Sequence, residues 1–191
     1  METLNWDDFI TNEEKKPFAA TIGVFDGVHR GHQALIERVV RQRKKPTVIT
    51  FRQNPKRALA RQGGKNITSL EEKLDIFEKM GITRTILIDF SENFSRMEGQ
   101  VFIETLLNRG LSFLAVGENF RCGYHRDTSV EAIRRITAER GVEINIVPPL
   151  LLGERPISSS MIREAIERGD FVFVSAALGR EFKELRRNYD F

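Results

Sequence analysis

The sequence predicts an α/β fold, a doubly wound parallel five-stranded sheet with helices on both faces. Three observations carry that expectation. Short apolar, β-branched runs alternate with longer amphipathic segments from Phe18 to Val147. Helix-start signals stand where amphipathic segments begin, and glycines stand where several of them end. The strand candidates are apolar along their length, as strands covered on both sides must be.

The first strand is Phe18-Ala-Ala-Thr-Ile-Gly23. A helix over 32–43 follows, with Ala34, Leu35, Val39 and Val40 on one side. Thr47-Val-Ile-Thr-Phe51 is the second strand, and a polar loop spans 52–66. Ser69-Leu-Glu-Glu72 is a capping box, Leu74, Phe77 and Met80 form the buried stripe behind it, and Gly81 closes the helix. Thr85 to Ile88 is the third strand. Ser95 to Glu98 is expected to cap a helix that turns Val101, Phe102, Leu106 and Leu107 inward and ends at Gly110. Phe113 to Val116 is the fourth strand. Thr128 and Glu131 form a second capping box, for a helix ending near Gly141. Ile144 to Val147 is the fifth strand, stopped by Pro148 and Pro149, and 159–185 reads as helices on the sheet edge. Such a sheet is Rossmann-like and binds ligands beyond the carboxyl ends of its strands. The loops after Gly23, Phe51, Asp89, Val116 and Val147 are therefore the ones to search.

A chain of 191 residues suits one domain, with a core over about 17–180 and a charged tail over 181–191. Forty per cent hydrophobic and 30% charged residues fit a soluble globular protein. No apolar run approaches the roughly 18 residues of a membrane span, and 1–16 lacks the basic start and apolar stretch of a signal peptide. A cytoplasmic location without membrane contact follows as an expectation. The single cysteine, Cys122, excludes an intrachain disulfide and reads as packed filler. A net charge of +3 fits an anionic small substrate. Nucleic-acid binding is not expected, because no broad basic surface with interleaved aromatics is present.

The loop after the first strand carries the chemistry: Gly23-Val-Phe-Asp-Gly-Val-His-Arg-Gly-His32. Gly27 and Gly31 leave room for a phosphate to approach the backbone, and the helix that follows offers free N–H groups. His29 and His32 can donate hydrogen bonds to phosphate oxygens, and would add charge if protonated. An incidental Gly-rich turn is the plainer reading. Against it, two of the chain's three histidines fall in this one loop, the third being His125. A zinc site needs more ligands than one cysteine and one further histidine supply. Near the other end, Ser158, Ser159 and Ser160 open an amphipathic stretch, with Arg163 one turn later. One serine serves as an N-cap; three hydroxyls and an arginine together make a second phosphate cradle.

The string Gly-x-Phe-Asp-Gly-Val-His-x-Gly-His resembles the adenylyltransferase module of bacterial bifunctional riboflavin kinase/FMN adenylyltransferases, within the nucleotidylyltransferase superfamily. Ile67-Thr-Ser-Leu-Glu-Glu-Lys73, Val116-Gly-Glu-Asn-Phe-Arg-Cys-Gly123 and Ile157-Ser-Ser-Ser-Met-Ile-Arg163 resemble further blocks of that family, in the same order. The resemblance implies an FMN adenylyltransferase (FAD synthetase): ATP, with Mg²⁺, and FMN as substrates, FAD and pyrophosphate as products. It implies His29, His32, Ser159, Ser160 and Arg163 as catalytic residues. ATP would be held by these five together with Gly23, Phe25, Asp26, Gly27, Gly31, Gly117, Ile157 and Ser158. Asp26 is open to a metal role or a turn role.

The acceptor is expected against Phe51, Asn54, Pro55, Asn119, Arg121 and Asp127. Asp127 is open to a metal role or to helix capping. One segment departs from the family: Thr50-Phe-Arg-Gln-Asn-Pro55 stands where Thr-Phe-Asp-Pro-His-Pro is common. The resemblance implies that Asn54 replaces a histidine that touches substrate phosphate, with Arg52 a nearby cation expected to compensate. The family continues into a β-barrel riboflavin kinase after the position of Arg180. Only 181–191 follow here, so kinase chemistry is not expected. Transfer to another phosphate acceptor, or nucleotide or flavin binding without catalysis, are the alternatives.

Overall fold

The computed structural model describes residues 1–13, 15–55 and 66–182. Most of the expected loop over 52–66 and most of the charged tail lie outside the described residues.

The elements in order are β1 (Glu2–Asn5), α1 (Trp6–Thr11), β2 (Phe18–Ile22), α2 (Arg30–Val40), β3 (Lys45–Phe51), α3 (Leu70–Lys79), β4 (Arg84–Ile88), α4 (Glu92–Ser95), α5 (Gly99–Asn108) and β5 (Leu111–Gly117). The hairpin β6 (Arg121–Cys122) and β7 (Thr128–Ser129), α6 (Val130–Ala138) and β8 (Glu143–Val147) follow. The hairpin β9 (Leu151–Leu152) and β10 (Arg155–Pro156) leads to α7 (Ser159–Glu167) and α8 (Phe171–Leu178).

The main sheet has the order β1-β4-β3-β2-β5-β8, and each neighbouring pair is parallel. It holds six strands where five were expected. The additional one, β1, escapes pattern reading because it is a four-residue edge strand whose only apolar side chain is Leu4. The α1 helix after it buries Trp6 (6% exposed) and Phe9 (3%), so the core begins well before residue 17.

Alternation along each strand sends neighbouring side chains to opposite faces. Ala20 and Ile22 face Trp6, Phe9, Phe102, Ile103 and Ile133, from α1, α5 and α6. Ala19 and Val48 face Leu35, Ile36, Val39 and Phe77, from α2 and α3. The chain leaves β2 toward β3 on one side, and β5 lies on the other. That reversal opens a crevice at the carboxyl ends of β2 and β5, where doubly wound sheets bind ligands.

The capping box of α3 forms: Ser69 Oγ accepts from Glu72 N, and the Glu72 carboxylate accepts from Ser69 N. Two other cap expectations shift. The α5 helix starts from Glu98, within the expected Ser95 to Glu98 stretch, but no side chain caps it; Ser95 instead ends the short α4, which Ser91 caps, by donating to Glu92 O. Ser129, not Thr128, caps α6: Ser129 Oγ accepts from Ala132 N, while the Thr128 hydroxyl is turned to Asp127. The last helices do not flank the sheet. Gln33 in the first turn of α2 donates to Leu178 O at 2.7 Å, and Ile162, Ala165, Val174 and Leu178 gather with Ile67 in a third core cluster.

Trp6→Ala should destabilise the fold by about 3–5 kcal/mol, the usual range for deleting a buried large aromatic. A denaturant titration with unchanged slope and lowered midpoint checks it. A shift within error would mean that α1 does not belong to the core.

Candidate active site

The β2–α2 loop turns back on itself through unusual backbone. Phe25 (φ 53°), Gly27 (φ 82°) and Val28 (φ 40°) all lie in the left-handed region. A β-branched valine there is costly, and it persists only where the surroundings over-determine it. Those surroundings are visible. Arg180 donates to Gly27 O at 2.7 Å and Val28 O at 3.3 Å, and Gly27 N donates to Thr68 Oγ1 at 3.1 Å. A Cβ at Gly27 would come within 2.9 Å of Ile67, so this glycine serves close packing rather than phosphate approach. Phe25 is wedged between His32 and Phe77, at ring distances of 5.1 and 5.6 Å.

Asp26 is the junction of the site. Its Oδ1 accepts from Ile67 N at 2.7 Å and Thr68 N at 3.4 Å. Its Oδ2 pairs with Arg163, and its main-chain carbonyl accepts from Ser159 Oγ at 2.9 Å. The carboxylate is therefore occupied by the protein and has the turn role. These bonds bring the two expected anion cradles, at the starts of α2 and α7, against one another.

His29 and His32 stack with ring centroids 3.6 Å apart. Gly31 permits it, since a Cβ there would lie 3.2 Å from His29 Nδ1. Burial drops His29 to about 4, with Asp26 opposing and Arg180 reinforcing. Burial, then His29 and Lys73, hold His32 well below its ordinary value. Both imidazoles are thus neutral at pH 7, so they act as hydrogen-bond donors without the charge a protonated pair would add. The Nδ1 atom of each is buried without a hydrogen-bond partner among the described residues. No side chain caps the first turn of α2, whereas Ser158 caps α7 by accepting from Met161 N.

A cavity of about 920 Å³ opens here. It is lined by Gly23, Phe25, Asp26, His29, Gly31, His32, Gly117, Ile157, Ser158, Ser159, Ser160 and Arg163. Every residue expected to hold the nucleotide is among them except Gly27. A Cβ at Gly117 would meet nothing within 4 Å, so the cavity is open over that backbone.

The expected acceptor residues Phe51, Asn54, Pro55, Asn119 and Arg121 also line it. Asp127 does not. It accepts from Gly99 N at 3.1 Å and from Thr128 Oγ1 at 2.7 Å, and so ties the β6–β7 turn to the start of α5. Arg52 is not part of the lining and does not stand in for the replaced histidine, because Asp89 and Asn5 hold its guanidinium at 3.0 and 2.6 Å.

Several lining residues escaped sequence reasoning. Phe90 and Phe94 meet Phe51 at ring distances of 5.9 and 6.2 Å and make an aromatic wall. Their signal was a pair of phenylalanines just beyond the third expected strand. Tyr124, His125 and Arg126 form the tip of the β6–β7 hairpin, where Arg121 Nε donates to Arg126 O. Burial beside Asp127 pushes the Cys122 thiol up to about 12, so it is not a thiolate at neutral pH. Among the described residues, no group of three or more His, Cys, Asp and Glu side chains could hold a metal ion.

The family model described as FAD synthetase matches residues 11–161. A Geobacillus thermodenitrificans protein is 34% identical over 83% of this chain and 87% of its own length. The bifunctional riboflavin kinase/FMN adenylyltransferase of Escherichia coli K12 is 32% identical over 85% of this chain and 54% of its own length, so this chain spans about half of that relative. The FAD synthetase of Listeria monocytogenes is 29% identical over 88% of this chain and 71% of its own. Among solved structures, a macrolide-efflux protein from Streptococcus pneumoniae superposes with a TM-score of 0.81 at 25% identity, over 94% of this chain and 60% of that one. Pantoate-β-alanine ligase from Francisella tularensis, at a TM-score of 0.56 and 12% identity over 94% of this chain and 85% of that one, shares the fold.

Because His29 sits near 4 when folded against an ordinary 6.5, the unfolded chain binds more protons between those values. Stability is then highest above about 6.5 and falls as pH drops toward 4. Thermal melts from pH 7 to 5 should show a falling midpoint, and His29→Gln should flatten the slope. Parallel slopes in the two proteins would contradict the buried neutral imidazole.

Proposed function

This chain belongs to the FAD synthetase family, and from that premise we propose that it transfers the adenylyl group of ATP to FMN, giving FAD and pyrophosphate. One observation carries the reading: the stacked His29 and His32 imidazoles and the hydroxyl-rich start of α7 line one cavity together with an aromatic wall. The polar cluster suits a triphosphate, and the aromatic wall suits a planar ring system.

An oxygen of the FMN phosphate attacks the α-phosphorus in line. The bond to the bridging oxygen breaks, and pyrophosphate departs with that oxygen's electron pair. No protein nucleophile takes part. His29 and His32 donate hydrogen bonds to phosphate oxygens, as do Ser160 and the N–H groups opening α2 and α7, while the Ser159 hydroxyl, donated to Asp26 O, holds the start of α7 in place. These donors are in place before charge builds on the leaving group, so little reorganisation opposes the step. Arg163, paired with Asp26, sets the second cradle and presents positive charge to the phosphates. Mg²⁺ brought with ATP would supply charge neutralisation at the phosphates; the Asp26 carboxylate, committed to Ile67, Thr68 and Arg163, would not hold it.

Asn54, Asn119 and Arg121 are the polar groups offered to FMN, and Phe51 and Pro55 are apolar ones. With Arg52 held by Asp89, the FMN phosphate meets Asn54 as a neutral donor where the family commonly has a histidine. No helix among the described residues is long and apolar enough to cross a membrane. A cytoplasmic enzyme working on small molecules, without nucleic acid, fits these features.

Incubation with Mg-ATP and FMN, followed by chromatographic separation of flavins, should show FAD with an equal amount of pyrophosphate. No FAD formation by the folded protein would end the reading. His32→Ala should lower kcat/KM by about 10²-fold, as loss of a preorganised donor does. Unchanged kinetics would take the imidazole out of the mechanism.

A further inference from the structure

We propose that Lys73 is a positioning residue for this transfer: its ammonium ties the exit of β2 to the exit of β3 and so fixes the nucleotide loop against the acceptor loop. Lys73 Nζ donates to Phe51 O at 3.0 Å, Thr50 Oγ1 at 3.2 Å and Val24 O at 3.3 Å. An ammonium has three N–H donors, and all three are used. Val24 leads directly into Phe25 and Asp26, while Phe51 leads into Asn54 and Pro55. One side chain therefore holds both approaches to the cavity.

Lys73 does not line the large cavity and touches no substrate position. It borders a separate pocket of about 20 Å³ with Val24, Asp26, Arg52 and Thr68. Its action is through the loops. The segment before it joins in: Ile67 N and Thr68 N donate to Asp26, and Thr68 Oγ1 accepts from Gly27 N. The start of α3 thus grips the nucleotide loop along its length.

Burying an ammonium costs stability that an apolar residue at the same place would not. Lys73 is only 7% exposed. A cation retained there serves placement better than it serves folding. The charged and titratable groups facing it are Asp26 from the β2–α2 loop, His32 from α2 and Arg52 from the loop after β3. Burial brings its amine down to about 8, with Asp26 opposing. Rising pH through that value leaves two donors for three acceptors.

The inference rests on the FMN adenylyltransferase reading, so the parent protein is assayed first. A parent that forms no FAD overturns that reading; an active parent isolates the role of Lys73. Lys73→Met should leave the calorimetric Kd for ATP within about threefold while kcat falls about 10²-fold, the scale of a small misplacement of reactants. The alkaline limb of kcat/KM, near pH 8 in the parent, should disappear. Lys73→Arg, which keeps a cation but not the compact three-donor head, should lower kcat by about 3- to 10-fold on the same argument, and decides the matter if Lys73→Met does not fold. Parental kcat in a folded variant overturns the proposal. So does a loss of kcat, ATP affinity and melting temperature together with the alkaline limb intact.

Discussion

A single buried carboxylate organises this molecule. Asp26, 6% exposed, is bonded to Ile67 and Thr68 on one side and to Arg163 on the other, while its own carbonyl holds Ser159. Its partners lie 41 to 137 residues away in the chain. Each bond is therefore a long-range constraint that hydrophobic patterning does not supply. Removing one partner of a buried, hydrogen-bonded ion pair costs about 3–5 kcal/mol, because the remaining charge stays buried and unmatched. The cost here is also geometric, since the same bonds set the start of α7 beside the start of α2.

That placement explains the chemistry. The two histidines are stacked and neutral, with His29 buried and His32 half-buried, so the pair offers hydrogen bonds without adding charge. Like charges at that separation would repel in a low-dielectric pocket. In the proposed transfer the negative charge arrives with the ligand, and the donors it meets are already aimed. The left-handed backbone at Phe25 and Val28 belongs to the same arrangement, with Arg180 bonded to the carbonyls of Gly27 and Val28. Strain at the loop is held by groups contributed from far along the chain.

Much of this was readable from residue order. The five strands from Phe18 to Val147 and the capping box at Ser69 follow from local patterns whose physical cause is local, whereas the pairing of the His29–His32 loop with the Ser158–Arg163 turn was implied by the family resemblance. What escaped has non-local causes. β1 is a polar edge strand recognisable only by its pairing with β4. Ser129 rather than Thr128 caps α6, and α5 begins without a cap from its own N-cap side chain, its Gly99 N–H being held by Asp127 from 28 residues away. Arg52 looked like a substitute cation until Asp89 and Asn5 were seen to hold it. Asp127 had two open roles, and contact with Gly99 selected the structural one. Phe90, Phe94 and Lys73 carry no motif of their own; only the sheet brings them to the carboxyl edge.

The most direct test of the account is a crystal structure with Mg²⁺ and a non-hydrolysable ATP analogue. The triphosphate should touch the His29 and His32 imidazoles on one side and the Ser159–Arg163 turn on the other, with Asp26 still bonded to Arg163. An analogue seated on one of these elements alone, with the other more than a water's width away, would contradict it.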